Sequence, residues 1–534
     1  MRQILHIFEK DVRRFWLEIL ISLTILVNFT WFGPKMWRQN LALGASLNRF
    51  GLYGPGLVEG LLVLLIPISW WLLIARVVHE ERLAGDRQFW ITRPYEWNKL
   101  LSAKVLLVAA FVYLPLAVAQ WWLLVAAGLH PANHIGALLY DWMLLTALPI
   151  LPIAAIAAVT QNMARLVLTL LGVLMATAAI GAIIIALLQN GVMHSPIDDI
   201  TFLDVPLVLV DCSAVLLLAY ARRRIAMGRI LLFALPVLLV VSQAFFSSNV
   251  MVNHEYPEIG SAGMQFSLKD NAQTFESAHV AISPRQLYIQ IPMIANGIAP
   301  GDLWVGKGVR VTILAGRQTL WVSPWQEQSF YLPTNGDATL GFNVDRAIFD
   351  RVQPETVTLR LEIAFDQAHR EQVDASRISF QDGVIPGLGV CSSVIYPGPS
   401  VGDDGKPAPA IYGLTCRSAL RDPRLTYVET AFTRGPCQPA PGNGPSPLEV
   451  QGAWIGNLES EPAEIGINPL KVVPIAFSGG WINNSTARFA EIKQLCPGAN
   501  ITFSRYGLVR QLRTELTLEN FRFPGYDKRE DAGR

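Results

Sequence analysis

The sequence has little charge. Only 16% of its 534 residues are Asp, Glu, Lys or Arg, against roughly 25% in an ordinary soluble chain. The formal net charge is +1, which excludes the basic character of a nucleic-acid-binding protein. Histidine is scarce at eight residues and scattered along the chain, so no metal site is expected. Catalytic motifs are also missing. His79-Glu80-Glu81 and His254-Glu255 each begin like a zinc-protease helix but lack the second histidine. No Gly-x-Ser-x-Gly elbow occurs. Residues 301–307 match the start of a phosphate-binding loop, but Gly308 stands where Ser or Thr must meet Mg²⁺. We read that stretch as a turn before a strand. No catalytic residue, resident cofactor or enzymatic activity is expected. Asn483, Asn484 and Asn500 begin glycosylation sequons, which matter only in a eukaryotic secretory setting.

What the chain has in quantity is apolar residue, 51% of the whole. About 20 apolar residues in a helix cross the hydrocarbon of a bilayer. Seven candidate spans follow, at 17–33, 57–76, 104–128, 137–159, 166–188, 205–221 and 230–247. The sixth is short and contains Asp211, the one deep acidic candidate for an intramembrane polar site. Glu59, Gln120 and Asp141 also lie in or near spans, and the two acids sit near outer ends, where water is close. Pro149 and Pro152 are expected to kink the fourth span. The start of the chain has no signal-peptide cleavage pattern, so the first apolar run reads as a retained anchor.

Charge is unevenly distributed. Residues 1–250 hold 18 Lys/Arg and 13 Asp/Glu, and residues 251–534 hold 25 and 29. Fifteen basic residues fall on one side of the seven-span arrangement and only Lys35, Arg38 and Arg49 on the other. The richer side is expected to be cytoplasmic. That places the N-terminus inside and residues 251–534 outside. Four of the five cysteines, Cys391, Cys416, Cys437 and Cys496, fall in the outer half. They are expected to form two disulfides, in any of three pairings, or to be buried thiols.

Residues 3–16 carry Ile4, Leu5, Phe8, Val12, Phe15 and Trp16 at helical spacing, interrupted by Lys10, Arg13 and Arg14. This reads as an amphipathic helix on the inner membrane surface, or as an early start of span one. Residues 251–534 read as β-rich. Val357, Leu359, Leu361, Ile363 and Phe365 alternate with mostly polar neighbours, and Pro/Gly-rich turns favour a sandwich-like fold. Residues 375–445 read as a loop-rich insertion. Trp304, Trp321, Trp325 and Tyr331 are strand aromatics, for the core or for a binding surface. The expected organisation is a transmembrane domain, 1–250, and an extracytoplasmic β-rich domain, 251–534.

The loop after the second span, residues 79–104, contains Glu80, Glu81, Gly85, Arg87, Phe89, Trp90, Arg93, Pro94 and Lys104. Pro94 disfavours helix at Arg93, giving helix, break, helix. In this order of features, and in its amphipathic N-terminal helix and six core spans, the chain resembles the permease subunits of ATP-binding-cassette (ABC) exporters of the second type. The resemblance covers about residues 1–225. It implies a transport subunit of a bacterial inner membrane, working as a pair of half-subunits. Residues 79–104 would be the coupling loop to a separate cytoplasmic ATPase that binds the ATP. The seventh span and large outer domain depart from the family pattern. The rival expectation is a membrane-anchored sensor or adaptor whose outer domain binds a ligand or protein, without transport.

Overall fold

The computed structural model describes residues 2–47, 55–81, 96–189, 201–245, 248–260, 265–268, 279–280, 286–332, 337–376, 383–385, 387–396, 410–421, 427–433, 452–457, 466–482 and 500–523. The helices are α1 (Arg2–Arg14), α2 (Trp16–Leu47), α3 (Pro55–His79), α4 (Trp97–Val108), α5 (Leu114–Ala126), α6 (Ile135–Leu145), α7 (Leu151–Val159), α8 (Met163–Gln189), α9 (Thr201–Tyr220), α10 (Ile225–Phe245) and α11 (Ser248–Glu255). Single π-turns at Ala109–Tyr113 and Thr146–Ile150 join α4 to α5 and α6 to α7. The second holds Pro149, so the expected kink takes the form of a widened turn.

Among the described residues, four helical stretches are long and apolar enough to cross a membrane: Trp16–Lys35, Val58–His79, Trp97–Ala126 and Pro131–Val159. Their outward sides are apolar. Val27, Leu114, Val118, Trp121 and Trp122 are all exposed. A water-soluble surface does not carry so continuous a belt of large apolar side chains, whereas lipid requires one.

The strands are β1 (Glu258–Ile259), β2 (Gln265–Leu268), β3 (His279–Val280), β4 (Gln286–Asn296), β5 (Asp302–Ala315), β6 (Gln318–Val322), β7 (Gln326–Leu332), β8 (Asp337–Asp345), β9 (Val357–Ser376), β10 (Gly383–Ile385), β11 (Gly389–Tyr396), β12 (Ala410–Ala419), β13 (Tyr427–Thr433), β14 (Gly452–Asn457), β15 (Leu470–Ile482) and β16 (Asn500–Phe521). A short helix, α12 (Arg346–Val352), follows β8. The chain forms two compact units. One combines Met1–Met175, Asp204–Leu238 and Val373–Ser504, and the other Ala176–Leu203, Leu239–Gln372 and Arg505–Arg534. Strands of the C-terminal half therefore belong to both.

In the second unit, β4 is flanked by β2 and β3 and paired along its length with β8. A curled sheet centred on β5 and β9 faces it. A register shift between Gly306 and Gly308 appears in the pairings of β5 with β7 and with β9, and such a bulge bends and twists the strand. The alternating residues fill one core. Leu287, Ile289, Ile291 and Met293 meet Val309, Val311, Ile313, Leu359, Leu361, Ile363 and Phe365. Trp304 and Trp325 are buried and Trp321 packs against this core, so these aromatics serve packing. The phosphate-loop-like stretch departs from expectation: only Gly301 lies in the turn, and residues 302–308 already belong to β5.

The first unit holds a four-stranded antiparallel sheet in the order β10-β11-β12-β15. Residues 375–445 were expected to be loop-rich; the described part of that stretch includes β10 to β13. Cys391 and Cys416 face each other across β11 and β12 and form a disulfide. Cys437 and Cys496 lie outside the described residues. The disulfide closes a separation of 25 residues, for which loop entropy gives about 3 kcal/mol of stabilisation. A non-reducing peptide map is expected to recover Cys391 joined to Cys416. Recovery of either cysteine joined to Cys437 or Cys496 would contradict this pairing.

Candidate functional site

Two buried polar clusters lie at opposite ends of the first unit's helices. Glu59 begins the apolar part of α3, and residues 60–75 after it contain no charge. Its carboxylate receives both Nη1 and Nη2 of Arg417 at 2.8 Å, a two-pronged ion pair. Arg417 comes from β12, and its guanidinium also lies over Trp37 of α2, 5.6 Å from the ring centre. Asp141 in α6 receives Nε of Arg421 at 2.7 Å, and Arg421 lies over Tyr140. All four charged groups are largely buried.

Gln120 of α5 completes this layer. Its Nε2 donates to the carbonyl of Gly466 at 2.7 Å, and its Oε1 accepts from Nε1 of Trp142 at 2.8 Å. Two glycines permit the close approach. Gly128, just past α5, has a φ of +77°, and a Cβ there would clash with Val384 of β10. A Cβ on Gly466 would meet the Asp141 carboxylate. Glu59 and Asp141 were expected to face water at the helix ends. Instead the sheet covers them, and arginines take the place of solvent.

At the other end, Lys104 of α4 donates to Asp11 of α1 at 2.7 Å and to Glu81, just past α3, at 2.9 Å. Lys104, Asp11 and Glu81 are all buried. Tyr220, at the end of α9, lies buried beside the two carboxylates. Around the cluster, Arg14 pairs with Glu80 and Arg76 with Glu18. His79 and Thr160 are joined at 3.1 Å. The expected amphipathic helix is present as α1, but its inward stripe is Ile7, Asp11 and Phe15, while Leu5 and Trp16 are exposed. Phe8 stacks on Phe111, and Val12 and Phe15 pack with Leu73, Val77 and Leu107.

The separation of the clusters follows from helix rise. Lys104 and Gln120 are 16 residues apart on one continuous helical stretch, or about 24 Å at 1.5 Å per residue. Glu59 and His79 are 20 residues apart on α3, or about 30 Å. These lengths match the hydrocarbon thickness of a bilayer. The ends alternate: α2 at Trp37, the start of α3, α5 at Gln120 and α6 at Asp141 meet the sheet region, whereas the start of α2, the end of α3, the start of α4 and the end of α7 gather at the Lys104 end.

Of the expected coupling residues, Glu81 and Lys104 are brought together and Glu80 is paired nearby. Gly85, Arg87, Phe89, Trp90, Arg93 and Pro94 lie outside the described residues. Asp211 is buried in α9, with one carboxylate oxygen unpartnered among the described residues, and joins neither cluster. Among the described residues no group of side chains is arranged to hold a metal. No protein-family model matches the chain, and no curated protein matches it by sequence.

Removing one partner of a buried pair leaves an uncompensated charge, at a cost of about 3 to 5 kcal/mol. Glu59→Ala and Arg417→Ala are each expected to lower the unfolding midpoint in detergent strongly. Glu59→Met combined with Arg417→Met is expected to recover most of the loss. No loss in either single variant, or a double-variant loss equal to the sum of the two single losses, would show that the pair does not hold the sheet to the helices.

Proposed function

We propose that the chain is the permease subunit of an exporter driven by a separate ATP-binding-cassette ATPase. The observation that carries the reading is the Asp11–Lys104–Glu81 cluster. It ties the amphipathic helix α1 to both flanks of residues 82–95, the segment whose pattern resembles a coupling loop. A push on that segment reaches α1, α3 and α4 together, because a buried lysine shared by two carboxylates resists separation.

In this reading the chain crosses a bacterial inner membrane seven times, with its N-terminus and residues 79–104 in the cytoplasm. The further spans are α8, α9 and α10. Their support is apolar composition and the gathering of the end of α9 and start of α10 at the Lys104 end, where Arg229 donates to the Val159 carbonyl. Residues 251–534 are then extracytoplasmic, which agrees with the Cys391–Cys416 disulfide. A second half-subunit completes the pathway. ATP binding closes the ATPase pair, and the helices shift between inward and outward access. The permease itself makes and breaks no bonds.

The tagged chain, purified in mild detergent from its native host, is expected to bring a stoichiometric cytoplasmic ATPase with a complete phosphate-binding loop. Replacing Arg93 and Pro94 with alanine should weaken that association while leaving the chain folded. Recovery of an extracytoplasmic protein without any ATPase would contradict the exporter and favour a membrane-anchored sensor or adaptor.

A further inference from the structure

An open pocket of about 270 Å³ lies where α7, α8 and α10 meet, at the Lys104 end of the helices. Its walls are of two kinds. Leu168, Leu232 and Phe233 form an apolar side, and Leu168 and Phe233 are largely exposed. Arg165, Arg229 and Thr160 form the polar side. No Asp or Glu is among the described residues lining it, so the described lining sets two positive charges beside an apolar wall.

The two arginines are held differently. Arg229 donates from Nε and Nη2 to the carbonyl of Val159, at 3.2 and 3.1 Å. This satisfies a carbonyl that the end of α7 leaves without a helical donor. It also fixes the guanidinium plane and leaves Nη1 without a protein partner among the described residues. Arg165 lies in the first turn of α8, pairs only with the neutral side chain of Gln161, and is exposed. Among the described residues, neither arginine is paired with a carboxylate. An exposed Leu and Phe on helices of this composition face lipid chains, and a cationic pocket at the edge of such a surface meets headgroups.

We propose that this pocket is a binding site for an anionic phospholipid. The headgroup phosphate is held by Arg165 and Arg229, and an acyl chain lies along Leu168, Leu232 and Phe233. The chemistry asks for both parts: a phosphate alone does not use the apolar wall, and a zwitterionic lipid brings a second cation toward two arginines. The inference needs only that α7, α8 and α10 meet the bilayer, and is independent of the exporter reading.

Native mass spectrometry of the full chain tests it, with the protein exchanged into phosphatidylglycerol, phosphatidylcholine or inorganic phosphate. Phosphatidylglycerol should be retained in preference to phosphatidylcholine, and millimolar inorganic phosphate should not displace it. Arg165→Gln should lower retention about fivefold, the effect of one basic residue near the membrane surface. Arg229→Lys keeps the cation while giving up the fork to Val159, and should retain the lipid better than Arg229→Gln. If Arg229→Gln fails to fold, Arg165→Gln alone decides. Equal retention of the two lipids, undiminished phosphatidylglycerol on Arg165→Gln, or displacement by inorganic phosphate would each overturn the proposal.

Discussion

Four buried carboxylates, each held by a cation from a distant part of the chain, are what the first unit depends on. Asp11 and Glu81 share Lys104, Glu59 takes Arg417, and Asp141 takes Arg421. None could remain charged and buried alone, because desolvation of an unpaired carboxylate costs several kcal/mol. Each pair therefore dictates which helix ends meet and what covers them. Between the two layers the helices are uncharged: residues 60–75 and 105–119 contain no Asp, Glu, Lys or Arg. The result is an apolar slab bounded by two polar layers, as a bilayer requires.

The two layers differ in what they join. At one, Lys104 links helix to helix through short side-chain contacts. At the other, the arginines link the helix ends to a sheet region 280 and 358 residues further along the chain. A bidentate arginine–carboxylate pair has a fixed geometry, so Arg417 sets orientation as well as proximity, and Trp37 beneath the guanidinium sets its height. Between the layers, both long helical stretches carry a π-turn. Tyr113 of the first bonds Thr146 of the second. These widened turns are where two otherwise regular helices are irregular together, and they lie between the layer that contacts the sheet and the layer built on Lys104.

Periodicity made the helices legible. The four long apolar stretches fall where composition placed them, and the alternation of Val357 to Phe365 correctly marked a strand with one face in a core. Composition did not reveal partners. Glu59 and Asp141 stood out as polar groups near span ends, but nothing local to them names Arg417 or Arg421, because a long-range ion pair leaves no periodic trace. Asp11 was missed for the opposite reason. An acid in a basic amphipathic helix reads as part of its wet face, yet Asp11 lies four residues from both Ile7 and Phe15, on the apolar side. That spacing was the available signal. Four cysteines left three pairings open, and the antiparallel register of β11 with β12 brings Cys391 to Cys416. The described residues supply four membrane-length helices where seven spans were expected.

The proposed function requires the two polar layers to lie on opposite faces of a membrane. It is tested most directly by introducing Val384→Cys beside one layer and Arg13→Cys beside the other; both parent side chains are exposed. A membrane-impermeant maleimide is applied to intact and to permeabilised cells, and each labelled peptide is identified by mass. Val384→Cys is expected to be labelled in intact cells and Arg13→Cys only after permeabilisation. Labelling of both positions from the same side would contradict it.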